Sequence, residues 1–159
     1  MKVTLIGQPF ARLALSNAAL MREIGELATR KIRERTQQGI SATGAPFAPL
    51  SARYAEQKQQ ALGTTRADLT VSGRMLNDMG PTAVTDTSVT IAFRSQGGGR
   101  ATGGTFIQRS RALGAQDKAF YHEEAGRVLR PFFDLTDEDE RAIEDAVERY
   151  LDRVVAGHT

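Results

Sequence analysis

The sequence contains no cysteine, which excludes disulfides and thiolate metal sites and fits a reducing compartment. It holds no apolar run of membrane-spanning length, and residues 1–7 lack the long apolar stretch of a signal peptide. A soluble protein made in a cytoplasm, with no membrane partner, is the expectation. Histidine is scarce, with two in the chain. His122-Glu123 begins like the first half of a zinc protease motif, but the second histidine would fall at position 126, which is Gly. His158 stands by itself, and a metal site needs more ligands. Residues 98–105, GGRATGGT, nearly spell a phosphate-binding loop. The lysine that reaches the terminal phosphates is missing, because position 104 is Gly. No spacing singles out a Ser-His-Asp set. Neither an enzyme nor a cofactor is expected.

What is present fits one domain over residues 1–159, long enough to bury a core without staples. The net charge of +2 hides an asymmetry. Residues 94–118 carry Arg94, Arg100, Arg109, Arg111 and Lys118 against Asp117, a net +4. Residues 134–152 carry nine acids against Arg141 and Arg149, a net −7. Opposite poles on one small protein can steer head-to-tail association. They also fit two solvated faces.

Leu20, Ile24, Leu27, Ala28 and Ile32 recur at helical spacing and predict a helix over 16–36. Its bases, Arg22, Arg30, Lys31, Arg33 and Arg35, read as a solvated face. Gly39–Leu50 is a loop whose Phe47 and Leu50 should fold back onto the core. Ser51 caps a short helix reaching about Leu62. Residues 63–67 read as mobile, and Ser72–Leu76 as a capped helical turn. Val89, Ile91 and Phe93 alternate with Thr90, Ala92 and Arg94, which predicts a strand. Asp86-Thr87 turns the chain between 82–85 and 88–93. Lys2–Gly7 is an edge strand or a loose arm. The Gly-rich basic stretch 96–118 reads as a long loop, with Phe106 as a possible stacker for nucleic acid. Ile143, Val147, Leu151 and Val154 predict a last helix over 137–155. The fold class is α+β: an antiparallel sheet packed against a long N-terminal and a C-terminal helix, with Leu20, Ile24, Leu27, Ile143, Val147 and Leu151 in the core.

Residues 120–140, FYHEEAGRVLRPFFDLTDEDE, hold an aromatic-His-Glu segment, a knot at Arg130–Phe133 and an acidic helix start. Pro131 biases Arg130 toward an extended conformation. Phe132 and Phe133 anchor that segment. Adjacent residues of an extended chain point to opposite faces, so one ring should fill the core and the other meet a neighbour or an arm. Thr136 and Asp139 imitate a capping box, and Asp137, Glu138, Asp139 and Glu140 suit the helix dipole.

Four of these segments have a familiar order. Residues 44–54, GAPFAPLSARY, resemble the GxPWxPLSxxY segment of the phage virion morphogenesis family, with Phe47 where Trp is frequent. Residues 71–76, VSGRML, resemble its xTGRL segment. Residues 121–126, YHEEAG, resemble a contracted YAxxHxxG, and residues 130–139, RPFFDLTDED, resemble RPFLGLSDED. Residues 96–118 match no motif of the family. The resemblance implies a small α+β subunit of the virion neck, which completes the tail and helps join it to the head. It implies no catalysis and no cofactor. Its partners would be further copies of itself in a hexameric or dodecameric ring, other neck, connector and tail-tube proteins, and DNA in the channel. Candidate contact residues are Arg94, Arg100, Phe106, Ile107, Arg109, Arg111, Arg130, Phe132, Phe133, Asp137 and Glu138. The alternative reading is a small nucleic-acid-binding protein using residues 94–118.

Overall fold

The computed structural model describes residues 3–6, 18–70, 73–95, 114–126 and 128–156. Three strands, β1 (Val3–Ile6), β2 (Met79–Val84) and β3 (Ser88–Phe93), form an antiparallel sheet in the order β1-β3-β2. The central strand is the one whose alternation is cleanest. Val89, Ile91 and Phe93 are buried while the residues between them are half-exposed, as a period of two requires. β1 pairs with it from Val3↔Ile91 to Ile6↔Ser88, and β2 from Met79↔Phe93 to Val84↔Val89. The register shifts between Pro81 and Ala83. Pro81 lacks an N–H and is tolerated because β2 is an edge.

The first long helix, α1 (Ala18–Gln37), lies across this sheet. The crossing is close at Gly25, where an added Cβ would sit 2.5 Å from Val89 Cγ2 and 3.1 Å from Pro81 Cγ. Leu20, Met21, Ile24, Ala28 and Ile32 form the buried stripe, and Leu27 is only half-buried at its margin. Ser16, expected to open the helix, lies outside the described residues.

The short helix α2 (Ala52–Leu62) begins at Ser51, whose hydroxyl accepts from Tyr54 N at 3.4 Å. It ends at Gly63 in the left-handed region (φ 70°), where the N–H returns to Gln59 O, a conformation that favours glycine. The turn α3 (Arg74–Asp78) puts Met75 and Leu76 into the core. It starts at Gly73 (φ 69°) and has no side-chain cap. Of the stretch 96–118 expected as one long loop, residues 96–113 lie outside the described residues, and residues 115–120 form a helix, α4 (Ala115–Phe120). It buries Ala115, Lys118 and Ala119. Six residues are too few to show a helical period in sequence. A π-helical turn (Tyr121–Ala125) follows.

The last helix, α5 (Asp137–Ala156), runs antiparallel to α1. Arg35 meets Asp139 at one end of the pair, and Glu23 meets Arg153 at 3.4 Å at the other. Ile143 and Val147 are half-buried against the core, and Leu151 is half-buried. The core has two parts. One joins α1 to Phe47, Met75, Leu76, Met79, Ile91, Phe93, Phe132 and Phe133, and the other joins Leu20, Met21 and Ile24 to Val89.

Candidate interaction surfaces

The arm from Val128 to Thr136 is tied down on every side, and the segments singled out in the sequence are what tie it. Arg130 N donates to His122 O at 2.8 Å, and Ala42 N donates to Pro131 O at 2.8 Å. The Arg130 guanidinium donates to the carbonyls of Ala48 and Pro49, both at 3.1 Å. Oε1 of Glu123 accepts from the backbone N–H of Phe132 at 2.7 Å and of Phe133 at 2.8 Å. Phe47 lies in the same cluster as both rings. Residues 44–54, 73–76, 121–126 and 130–139 therefore meet in one corner and hold one another.

Arg35 locks that corner to the helix pair. Its Nη2 donates to Phe132 O at 2.9 Å and to Asp134 O at 2.6 Å, and its Nη1 is paired with the Asp139 carboxylate. Asp139 also closes the capping box. Its Oδ2 accepts from Thr136 N at 3.0 Å, and its own N–H donates to Thr136 Oγ1 at 3.2 Å. Burial lowers the Arg35 pKa, while Asp139, Asp134 and Glu123 work to raise it. Arg35 Nε is buried without a hydrogen-bond partner. His122 is pushed down to about 4 by burial and by the Arg130 charge, so it is neutral at ordinary pH.

Two expectations are corrected. Arg35 belongs to no solvated face, because it is 8 % exposed. It follows Ile32 by three positions and so continues the buried stripe, which was the available signal. Arg33 likewise points inward and donates to the carbonyls of Leu76 and Met79 at 3.2 and 3.3 Å. The second correction concerns Phe132 and Phe133, which do not divide between core and neighbour. Both are buried, at 0 % and 4 % exposure, and their centroids lie 6.1 Å apart. Phe93 packs at 5.2 Å from Phe133 and 6.4 Å from Phe132. Successive N–H groups of a strand point to opposite sides, but here both reach one Glu123 oxygen. The chain bends, and both rings turn inward.

Of the other candidate contact residues, Arg94, Asp137 and Glu138 are exposed. The Arg94 guanidinium lies over Gly80. Arg130 is committed to its own chain through Ala48 and Pro49. Arg100, Phe106, Ile107, Arg109 and Arg111 lie outside the described residues. Asp78 fixes where their segment departs, since its Oδ2 accepts from Ser95 N and Ser95 Oγ, each at 2.8 Å. Lys118 is buried and adds nothing to an exposed basic surface.

The sequence reading missed a lobe built by α2. Lys58 is 2 % exposed, donates to Arg66 O at 2.6 Å and pairs with the Asp68 carboxylate. Arg66, in the stretch 63–67 expected to be mobile, is thus tied to the helix it follows. A groove of about 400 Å³ lies between this lobe and the chain beyond α1.

Among the described residues no group of three or more His, Cys, Asp or Glu could hold a metal ion, and no helix is long and apolar enough to cross a membrane. No curated protein and no solved structure matches the chain. The model of the phage virion morphogenesis family matches residues 2–152. That span includes all four segments of the corner, the whole of α1 and α5 as far as Asp152, and the chain belongs to the phage virion morphogenesis family.

Proposed function

We propose that this protein is a structural subunit of the virion neck, which completes the tail and helps join it to the head as a ring of identical copies, hexameric or dodecameric. The observation that carries the reading is the coincidence of the family match with the corner. The segments that carry the resemblance are spent on rigidity: Arg130, Glu123, Phe132, Phe133 and Phe47 within them fix an arm to a body. A rigid subunit with unlike faces suits a ring closed by heterologous contacts. Arg94, Asp137 and Glu138 are exposed charges available for contacts between copies or with neck, connector and tail-tube proteins. The basic 94–118 segment suits the acidic N-terminal half of α5 on a neighbour, or DNA in the channel.

Electron microscopy of particles assembled without the protein tests this. Separate heads and incomplete tails are expected. Joined, infectious particles would sink the reading. If joined particles form but lose DNA, the segment 94–118 acts on the nucleic acid instead.

A further inference from the structure

Helix α2 is the least integrated element of the fold. Only Lys58 of its 11 residues is buried, and it packs extensively against no other helix or strand among the described residues. Lys58 is satisfied by Arg66 O and Asp68, so residues 51–68 close on themselves as a lobe. Desolvating a lysine is costly without a close partner. Here that interaction stiffens a surface feature and leaves the core unaffected. The outer side of the lobe is also poor in charge. Ala52, Gln59, Gln60, Ala61 and Leu62 are exposed there, beside Arg53 and Glu56. Depletion of charge marks the centre of protein interfaces, and both long helices lack it.

The groove beneath the lobe is lined by apolar groups from Phe47, Leu50 and Ala55, and Arg66 is the one charged residue among the lining residues described. Gln38 and Gly39, just beyond the C-terminal end of α1, also line it. The opposite end of the helix pair carries a complementary feature. Glu144, Glu148, Asp152 and Val155 follow one another at spacings of four, four and three and are all exposed, so they share one face of α5. Val155 is 67 % exposed, the most of any large apolar residue described. Because α1 and α5 are antiparallel and Asp139 sits beside Arg35 at the groove's end of the pair, Val155 lies sixteen residues further along α5, roughly 24 Å away at 1.5 Å per residue. One chain cannot join them, but two copies can.

We propose that the groove beneath α2 is the socket for the C-terminal turns of α5 of a second copy, with Val155 entering against Phe47, Leu50 and Ala55 and Asp152 facing Arg66. The contact is head to tail, so it propagates and can close a ring. It rests on the reading of the protein as a self-assembling subunit and names the surface through which it assembles.

Analytical ultracentrifugation of the full chain tests it. The natural chain assembles, and rising salt weakens the assembly, because exposed charges are screened. Arg66→Glu and Val155→Asp are both at exposed positions, and circular dichroism checks that each still folds. Each should need more than about tenfold higher concentration to assemble. Thr65→Trp, which fills the groove without changing its charge, should act like Arg66→Glu. An equimolar mixture of Arg66→Glu and Val155→Asp forms a one-to-one heterodimer and nothing larger, because each copy supplies the single surface the other lacks. Assembly of either variant at the natural concentration overturns the proposal. So does a mixture that stays monomeric or grows beyond two copies. A natural chain that remains monomeric overturns it too, while the particles made without the protein still decide the virion role separately.

Discussion

Arg35 and Asp139 set the strongest residue-level expectation, because each is buried and each is the other's charge partner. Removing one side leaves the other out of water and uncompensated. Asp139→Ala also opens the capping box at Thr136. It should cost about 3–5 kcal/mol in urea unfolding, against less than about 0.5 kcal/mol for the exposed Asp145→Ala. An Asp139→Ala loss no larger than that control would show that the pair is not holding the corner. His122 gives a pH dependence. Its pKa is about 4 in the folded chain against an ordinary 6.5, so the unfolded chain binds the proton more readily. The native state is favoured fully above 6.5 and loses that advantage as pH falls toward 4. The slope from this one group is at most about 1.4 kcal/mol per pH unit. His122→Gln should flatten the stability curve over that window, and an unchanged slope would remove His122 as its source.

At the scale of elements, the crossing of α1 over the sheet depends on Gly25. A glycine inside a helix is less favourable than alanine by about 1 kcal/mol, so Gly25→Ala would stabilise an isolated helix. Here the new Cβ meets Val89 and Pro81, and overpacking costs about 1–3 kcal/mol. Gly25→Ala should therefore lower the thermal midpoint. Val89→Ala in the same chain should cost less than it does by itself, and strict additivity of the two would show that no clash exists. The arm depends on its rings in the same way. Phe132→Ala and Phe133→Ala should each cost about 3–5 kcal/mol. The same loss at both positions is what distinguishes two core rings from one core ring and one contact ring.

At the scale of the molecule, the two ends of the helix pair differ. The Arg35 end is locked by buried groups, and the Arg153–Glu23 end by an exposed ion pair worth about 0–1 kcal/mol. Only Asp139 and Ala146 of α5 are buried. Hydrogen exchange in the free subunit should be slow near 139–147 and fast over 148–156. If those last turns seat in a neighbour's groove, exchange there slows on assembly, together with residues 50–67. Slowing at neither segment, with rings present, would place the contact elsewhere. The expectation uses local opening as the readout, since weakly buried turns open first.

The sequence by itself determined the elements whose pattern is local: the stripe of α1, the alternation of β3, the cap of α5, and four motif segments in the right order for the family. A helix stripe, a strand alternation and a capping box need only neighbours a few residues apart, so they are readable along the chain. The tertiary structure decided what depends on partners far away. Glu123 was only a residue beside a histidine until the bend in the arm brought two amides to it. Arg35 lay on the stripe, but only Asp139, on the other long helix, explains how its charge is buried. Lys58 lay on a surface helix, and only the return of the chain at Arg66 and Asp68 encloses it. In each case a charged side chain reads as exposed until a second segment supplies the acceptors that make its burial possible, and that pairing is a property of the fold.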